Sequence, residues 1–267
     1  MALAQAECQS SLVGVDDGLA EPPVAFTLGP WRELATGVFV AVAEPEAVNL
    51  GLIVGSERAL LIDTGSSPAQ GRAVRDSLDA IIDVELVAVV LTHWHYDHAF
   101  GLAAFTDLET IAHESVRDRL GSTAAVAEAG RLGVDPAEVA MPNREIVVAT
   151  ALDLGGRRVE IAHLGRGHTD GDVVVVVPDA DLVFAGDLIE SAGPPSFGPD
   201  SVPAEWAGTL DGLIGLMTKA TLAVPGHGEP VEREFVFEQR GRIAAQAAEL
   251  ATQPPPNPAG ARTLPLV

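Results

Sequence analysis

Hydrophobic residues occur in short runs along the first part of the chain, and turns containing glycine or proline separate these runs. Runs of roughly four to eight apolar residues between turn signals are typical of β-strands. A helical spacing of apolar positions, from Ala73 to Ile82, follows Ser67 and Pro68, which predict the start of a helix. The predicted strands of this part cover residues 37–43, 49–54, 58–63, 86–91 and 110–112.

The second half of the chain repeats this order in outline. A helical region predicted over residues 114–140 separates the halves, and two later helices are predicted from Ser201 to Met217 and over residues 232–250. Strands followed by a helix, twice over, predict two sheets packed face to face with helices outside each. The predicted strands of this half cover residues 145–149, 157–162, 173–177, 182–185 and, last, 221–224.

The pattern predicts one domain with a tail at each end. Residues 1–23 show no sustained period and are predicted to be an N-terminal tail. Residues 24–250 carry all the predicted strands and helices, and a chain of 267 residues can form them as a single α/β domain. Residues 251–267 are predicted to be a Pro-rich tail, because three consecutive prolines from Pro254 favour an extended chain.

The composition of the chain limits the kinds of partner that it is expected to bind. A net charge of −22 repels phosphate backbones and anionic lipids, so we expect neither nucleic acid nor a membrane as partner. The apolar runs are also shorter than the about 20 residues of a helical membrane span. The first residues lack the basic region of an export signal, and Cys8 is the single cysteine, so we expect a cytoplasmic protein. We expect a small-molecule substrate, and a homodimer is possible.

A cluster of metal-ligand side chains follows the strand predicted over residues 86–91. His93, His95, Asp97 and His98 lie within six residues and include three of the seven histidines in the chain. Neutral imidazole and carboxylate suit zinc or a similar first-row ion. A single histidine in a polar loop usually serves local hydrogen bonds, but this density favours a metal site.

The second half adds three further candidates, which are His168, Asp187 and His227. Each follows a predicted apolar strand and is bordered by glycine, which lets the backbone turn tightly and leaves room for an ion. Taken singly, each has the ordinary interpretation of a turn or loop residue. Together, at strand ends along one edge of the sheets, they predict that the second half completes the site of the first.

These motifs resemble those of the metallo-β-lactamase-fold hydrolases, and among them the glyoxalase II-like and lactonase-like branch. The resemblance covers residues 35–228 and includes residues 60–65, in which Asp63 resembles the supporting aspartate of the family. It implies a four-layer αββα sandwich with the site along one edge. It also implies that His93, His95 and His168 hold one metal ion, that Asp97, His98 and His227 hold the other, and that Asp187 bridges them.

Two metal ions also have a physical rationale. Two divalent ions about 3.5–4 Å apart can share a bridging hydroxide nucleophile and polarise the carbonyl that it attacks. We expect two divalent ions, zinc first, with iron or manganese as alternatives. Asp97 is the candidate catalytic residue, because it can bind an ion, orient the nucleophile or pass a proton to the leaving group. We expect Asp63 to hold a ligand from outside, and a helix or turn cap is its alternative role.

The expected reaction is hydrolysis of an ester-like bond, with a thioester or lactone preferred over a phosphodiester or β-lactam. Asp187 supports this order, because the resemblance implies that β-lactamases usually lack a bridging aspartate at this place. One alternative is a persulfide dioxygenase-like enzyme with a single iron on His93, His168 and Asp187. The others are a β-lactamase-like amide hydrolase and a metal-stabilised binding module without turnover.

Two aromatic residues are candidates for the substrate rim. Tyr96 lies inside the histidine cluster, and Phe197 lies in a loop rich in glycine and proline, residues 191–200, that follows Asp187. Loops on a rigid scaffold often carry binding residues, so we expect this loop to border the substrate. A simple connector is the alternative.

Overall fold

The computed structural model of the protein describes residues 25–252. The predicted N-terminal tail, residues 1–23, lies outside the described residues. Of the predicted C-terminal tail only residues 251 and 252 are described, and they end the last helix.

The described part of the chain contains fourteen strands and six α-helices. No helix within residues 25–252 has the length and apolar character that crossing a membrane requires. The helices are α1 (Pro68–Leu78), α2 (Tyr96–Ala99), α3 (Glu114–Leu120), α4 (Thr123–Leu132), α5 (Pro203–Leu216) and α6 (Arg233–Thr252). The strands are β1 (Thr27–Leu28), β2 (Arg32–Ala35), β3 (Val38–Glu44), β4 (Val48–Val54), β5 (Arg58–Ile62), β6 (Glu85–Val90), β7 (Glu109–His113), β8 (Arg144–Ile146), β9 (Ala149–Asp153), β10 (Arg158–Ala162), β11 (Val174–Val177), β12 (Leu182–Glu190), β13 (Leu222–His227) and β14 (Val231–Glu232).

All fourteen strands belong to one hydrogen-bonded sheet, which folds into two packed halves that we call the first and the second sheet. In the first sheet β3, β4 and β5 are antiparallel, and β5, β6, β7 and β8 are parallel. In the second sheet β9 to β12 are antiparallel, and β12 is parallel to β13. The sheets connect where His227 of β13 pairs with Val48 of β4.

Three hydrophobic clusters show that the molecule has four layers. One cluster lies between the sheets and includes Val90 of β6 and Phe184 of β12. A second cluster packs the outer face of the first sheet against α1, α3 and α4, and a third packs the outer face of the second sheet against α5 and α6, with Trp206 at its centre. This arrangement is the αββα sandwich that the sequence predicts.

The apolar run before the histidine cluster shows how the sequence specifies these layers. Successive side chains of a strand point to opposite faces of the sheet. Ala88 and Val90 accordingly lie between the sheets, whereas Val89 and Leu91 lie against the helices. Because both faces of β6 are covered, the strand is apolar at nearly every position instead of alternating.

The prediction of one strand over residues 145–149 was wrong. Those residues belong to β8, which ends at Ile146, and to β9, which begins at Ala149. Val147 and Val148 lie between them with 55% and 69% of their surface exposed. Residues 145–149 form an apolar run that predicts a single strand. In the structure this run connects the first sheet to the second.

Two boundaries also differ from the prediction. Helix α1 ends at Leu78, and Ile81 and Ile82 pack from the following turn into a cluster that includes Leu78. Strand β13 extends to His227, and β14 follows it, so residues 221–224 are not the last strand. The helical spacing of Ile81 and Ile82 reflects packing of a turn on the core and not a longer helix.

Candidate metal centre

The candidate ligands converge at one edge of the sandwich because the strands that carry them end there. Chain segments after β5 and β6 carry Asp63 and His93, and β13 ends at His227. Asp187 lies inside β12, where the pairing with β13 is irregular on both sides of Gly186. A Cβ atom at Gly226 would collide with Asp187 Oδ1, so glycine at that position makes room for the carboxylate.

Four side chains form the first ligand group, and their candidate ligand atoms lie within 4.8 Å of one another. His168 Nε2 lies 2.8 Å from His95 Nδ1. The Asp187 Oδ2 atom lies 3.4 Å from His168 Nε2 and 3.8 Å from His93 Nε2. The members of this group are His93, His95, His168 and Asp187.

Asp97, His98 and His227 form the second ligand group, within the same 4.8 Å limit. Helix α2 is a single turn that begins at Tyr96, and it directs Asp97 and His98 towards the group. Asp97 Oδ2 lies 3.3 Å from His227 Nε2 and 3.7 Å from His98 Nε2.

Asp187 lies between the two groups. Besides its approach to the first group, its Oδ1 atom is 3.1 Å from His98 Nε2, and its Oδ2 atom is 3.6 Å from His227 Nε2. One carboxylate therefore approaches imidazoles of both groups. The structure brings together all seven side chains that the sequence suggested as ligands.

The Asp63 side chain forms hydrogen bonds with the segment that carries the histidine cluster. We call residues 92–98 the histidine turn. Asp63 Oδ1 accepts a hydrogen bond from the Thr92 amide at 2.7 Å, and its Oδ2 accepts from the Thr92 hydroxyl and from His98 Nδ1, both at 2.8 Å. His93 Nδ1 in turn lies 3.0 Å from the Thr92 hydroxyl oxygen. The carboxylate thus fixes the orientation of two imidazole rings, one from each ligand group.

The other three imidazoles are also held through the nitrogen that points away from the ligand groups. His227 Nδ1 donates to the Glu46 carbonyl at 2.8 Å, and His168 Nδ1 lies 3.3 Å from the Ser196 carbonyl oxygen. His95 Nε2 lies 3.2 Å from Asp200 Oδ2, which also accepts from the Trp94 indole at 2.7 Å. With a partner on its outer nitrogen, a neutral ring can present the inner nitrogen as a lone-pair donor, the form in which histidine binds a metal.

The inner atoms fit a metal ion. His93 Nε2, His98 Nε2 and Asp187 Oδ1 are buried and have no hydrogen-bond partner. The 3.1 Å approach of His98 Nε2 to Asp187 Oδ1 is close, but it lacks hydrogen-bond geometry. Buried polar atoms without partners are costly, and a cation placed among them would satisfy all three. Nitrogen and carboxylate oxygen are the donor types of zinc sites.

Burial and the neighbouring carboxylates shift the pKa values of the candidate histidine ligands in opposite directions. Burial lowers the pKa of His93 and lowers the pKa of His168 to about 4, which keeps both rings neutral. Burial also disfavours the charged form of His227, but the nearby carboxylates of Asp187 and Asp97 raise the pKa of His227 to about 10. A metal ion binding at His227 therefore has to replace a proton.

A cavity of about 580 Å³ opens above the ligand groups. Tyr96 and Trp94 line it, together with Ser196, Gly198 and Asp200 of the loop that the sequence predicts at the rim. Phe197 of that loop turns away, because its ring packs against Trp206 in the core at a centroid distance of 5.0 Å. The neighbours of Phe197, and not its ring, border the cavity.

Sequence reasoning missed four residues that support the imidazoles, and one of them is Ser196, whose carbonyl oxygen lies beside His168 Nδ1. Thr92 directly precedes the histidine cluster, so its place in the motif was a possible signal. Asp200 ends the predicted rim loop, and an acidic residue there could have been proposed as a histidine partner. No local signal marks Glu46, because it acts through its backbone carbonyl on a residue 181 positions away.

Comparison with known proteins agrees with this fold and site. The sequence model of the metallo-beta-lactamase superfamily matches residues 43–227, which span all the candidate ligands. Structurally, a metallo-beta-lactamase from Pontibacter korlensis superposes with a TM-score of 0.67 at 20% identity, over 81% of this chain and 99% of that chain. At this identity the superposition shows the fold alone.

Two relatives extend over most of both chains. A metallo-beta-lactamase type 2 from Bacillus sp. (strain 170) is 26% identical over 203 residues, which are 74% of this chain and 73% of the relative. An acyl-coenzyme A thioesterase from Bos taurus is 23% identical over 229 residues, covering 74% of this chain and 79% of the relative.

The fold and the ligand groups define a metal-dependent hydrolase. The chain belongs to the metallo-beta-lactamase superfamily, as the match over residues 43–227 shows. Membership of the glyoxalase II-like or lactonase-like branch stays a prediction.

Proposed function

We propose that the protein hydrolyses an ester-like bond of a small molecule, a thioester or lactone before others, with two divalent metal ions. The observation that carries this proposal is the position of Asp187. Its two carboxylate oxygens lie 3.1–3.8 Å from imidazole nitrogens of His93, His98, His168 and His227. A carboxylate shared by two ligand groups is suited to hold two ions side by side.

The proposed ligand assignment follows the two groups. His93, His95 and His168 would hold one ion, and Asp97, His98 and His227 would hold the other. Asp187 would bind both. Zinc is the proposed metal because imidazole and carboxylate are its common ligands, and iron and manganese are the alternatives.

When bound, such a pair of ions lowers the pKa of water to near 7 and polarises the carbonyl group under attack. Other residues of the chain orient the side chains that would hold the ions. Asp63 and Thr92 fix the histidine turn, and Asp200 fixes His95. Asp97 lines the cavity, so its carboxylate can accept the proton that the attacking water gives up and deliver it to a departing thiolate or alkoxide.

The preference for a thioester rests on two further observations. The thioesterase relative aligns with about three quarters of the chain, and its name states hydrolysis of an acyl-coenzyme A. The cavity of about 580 Å³ has the size of a small-molecule site. With a net charge of −22, the protein is not expected to act on polyanions such as nucleic acids.

The second candidate function is amide hydrolysis of the β-lactamase type. The Bacillus relative favours it, because its alignment covers 74% of this chain. A dioxygenase with a single iron is a weaker alternative. It would leave Asp97, His98 and His227 without a role, although their ligand atoms lie within 4.8 Å of one another.

The test combines metal analysis with a substrate panel on the same purified sample. Zinc-reconstituted protein should contain two ions per chain, and its kcat/KM should be highest for a thioester or lactone among thioester, lactone, β-lactam and phosphodiester substrates. Highest activity on a β-lactam would support the second candidate instead. One iron per chain, with oxygen uptake on a persulfide, would overturn hydrolysis.

A further inference from the structure

A glutamine lies on the buried face of helix α6, between two apolar residues of the core. The buried residues of this helix are Val236, Gln239 and Ile243, and each is 0% exposed. Their spacing of three and four residues places them on one side of the helix. A polar side chain in such a position is costly unless its hydrogen bonds are made. The partners of Gln239 therefore indicate its role.

The amide group of Gln239 binds the backbone of strand β12 beside Asp187. Gln239 Nε2 donates to the Leu188 carbonyl at 2.9 Å, and Gln239 Oε1 accepts from the Glu190 amide at 3.1 Å. The Trp206 indole also donates to the Leu188 carbonyl, at 3.2 Å. Because Leu188 directly follows Asp187 in the chain, these contacts act on the backbone next to the proposed bridging ligand.

Strand β12 depends on this support because its pairing with other strands is incomplete there. On one side, β11 pairs with β12 only as far as Phe184. On the other side, residues 187–189 of β12 lie opposite the single residue Gly226 of β13. Such a bulge leaves backbone groups without partners in the sheet. The side-chain amide of Gln239 offers one donor and one acceptor, as a residue of a neighbouring strand would.

The bulge also brings the Asp187 carboxylate to the ligand groups. Bulges change the direction in which a side chain points, and they are frequent beside active sites. Asp187 Oδ1 is buried without a hydrogen-bond partner, so the position of this oxygen depends on the backbone that carries it. Support of the bulge is therefore support of the carboxylate.

The same stretch of β12 packs against the segment that carries His168. A Cβ atom at Gly167 would lie 2.6 Å from the Leu188 side chain and 3.0 Å from the Trp206 ring. The rings of Trp206 and His168 are in contact, with centroids 5.7 Å apart. A shift of Leu188 would therefore affect His168 as well as Asp187.

We propose that Gln239 is a positioning residue for the metal centre. Its amide group takes the place of a neighbouring strand, fixes the bulge of β12 and so holds the Asp187 carboxylate between the two ligand groups. The inference rests on the proposed function in taking Asp187 as a metal ligand, but it does not depend on which bond is cleaved. Because the support is built from the protein alone, it should be present before any metal binds.

Gln239→Met tests the role in metal binding. Methionine is similar in length, flexible and apolar, so the variant removes both hydrogen bonds and keeps the core filled. Zinc affinity, measured against a competing chelator, should fall at least about tenfold for one or both ions, as it does when other outer partners are lost. The visible spectrum at saturating Co²⁺ should also change, because it reports the geometry of the ligands around the ion.

Ile243→Ala is the matched control. It opens a gap on the same face of α6 and lowers stability without removing a hydrogen bond. Its zinc affinity should stay within about threefold of that of the unaltered protein, and its Co²⁺ spectrum should not change. An equal loss of affinity in both variants would reflect a general loss of stability and would overturn the inference.

Hydrogen exchange of the unaltered protein gives a test that does not require the variant to fold. The Glu190 amide should be as strongly protected in the metal-free protein as the paired amides of β12, and zinc should change its protection little. Rapid exchange of this amide until zinc is added would mean that the metal, and not Gln239, orders the bulge. That result would overturn the inference.

The substrate panel separates this inference from the proposed function. If no substrate is hydrolysed while the affinity loss and the protection of the Glu190 amide are found, the proposed function fails and the positioning role stands. If thioesters or lactones are hydrolysed while Gln239→Met keeps full zinc affinity and an unchanged Co²⁺ spectrum, the positioning role fails and the hydrolase remains.

Discussion

The two halves of the sandwich contribute to the metal centre in different ways. The first half provides His93, His95, Asp97 and His98 from one turn after β6, whereas the second half provides its three ligands from separate places. The geometry of the first set depends on one strand end and the short helix α2. The geometry of the second set depends on how β12, β13 and the connecting loops pack together.

The supporting contacts differ in the same way. Asp63, which lies under the turn of the first half, has a side chain that is only 2% exposed. Asp200 supports His95 from a loop of the second half, and its side chain is 10% exposed. A buried support close to its ligand in the chain should therefore matter more for metal affinity than a support that comes from the other half of the sandwich.

The largest effect is expected for the residue that joins the two halves. Asp187→Ala removes the carboxylate that approaches both ligand groups, so we expect the loss of at least one ion per chain and a fall in kcat/KM on the order of 10³-fold. The fold should survive, because the clusters of the sandwich do not include this residue.

Metal analysis and circular dichroism on the same sample would check this prediction. Asp211→Ala, which breaks an exposed ion pair with Arg240, is the control and should retain metal and activity. Full metal content and full activity in Asp187→Ala would show that the two groups do not share a ligand.

The next largest effect is expected for Asp63→Asn. The amide has the shape of the carboxylate but not its charge, so the hydrogen bonds that orient His98 and, through Thr92, His93 would weaken. Loss of such outer partners typically lowers metal affinity about 10–100-fold. Zinc titration against a competing chelator would measure it, and unchanged affinity would contradict the supporting role of Asp63.

A pH dependence of metal binding should follow from His227. In the metal-free protein the carboxylates of Asp187 and Asp97, acting against burial, raise its pKa to about 10, so the ring carries its extra proton at pH 7. Metal binding releases that proton. The apparent affinity should therefore rise with pH, about tenfold per pH unit for each proton released, until the pH passes the pKa of His227.

Calorimetric zinc titrations in two buffers of different ionisation enthalpy would measure this release. We expect the heats to differ in proportion to the buffer enthalpy at pH 7.5. Identical heats in both buffers would mean that no net proton leaves, and would contradict a protonated His227 in the metal-free protein.

The smallest effect is expected for Asp200→Asn. This change should lower zinc affinity only about threefold to tenfold, at or below the low end for such outer partners. Water can reach the more exposed Asp200 and replace part of its hydrogen bonding to His95. Comparison with Asp63→Asn by the same titration would check the order of the two supports, and a larger loss for Asp200→Asn would reverse the comparison.

The layers of the fold could be predicted because strands precede helices in each half and the strands are apolar on both faces. The prediction failed at Val147 and Val148, because a hydrophobic run contains no sign that the chain leaves one sheet for the other. Only the exposure of these two residues in the folded chain reveals the turn.

The candidate ligands were predictable for a related reason. Ligand-type side chains with glycine or another ligand beside them, at the ends of apolar strands, form a pattern that is visible in the sequence. The contact of Asp200 with His95 joins residues 105 positions apart, and the support from Glu46 uses a backbone oxygen. Such contacts depend on the tertiary structure, and no local spacing predicts them.

Anomalous diffraction from crystals of the zinc-loaded protein would locate the two metal ions that we propose Asp187 shares. We predict two peaks about 3.5–4 Å apart, one beside His93, His95 and His168, the other beside Asp97, His98 and His227, with Asp187 between them. A single peak, or a second peak away from Asp97, His98 and His227, would contradict the account.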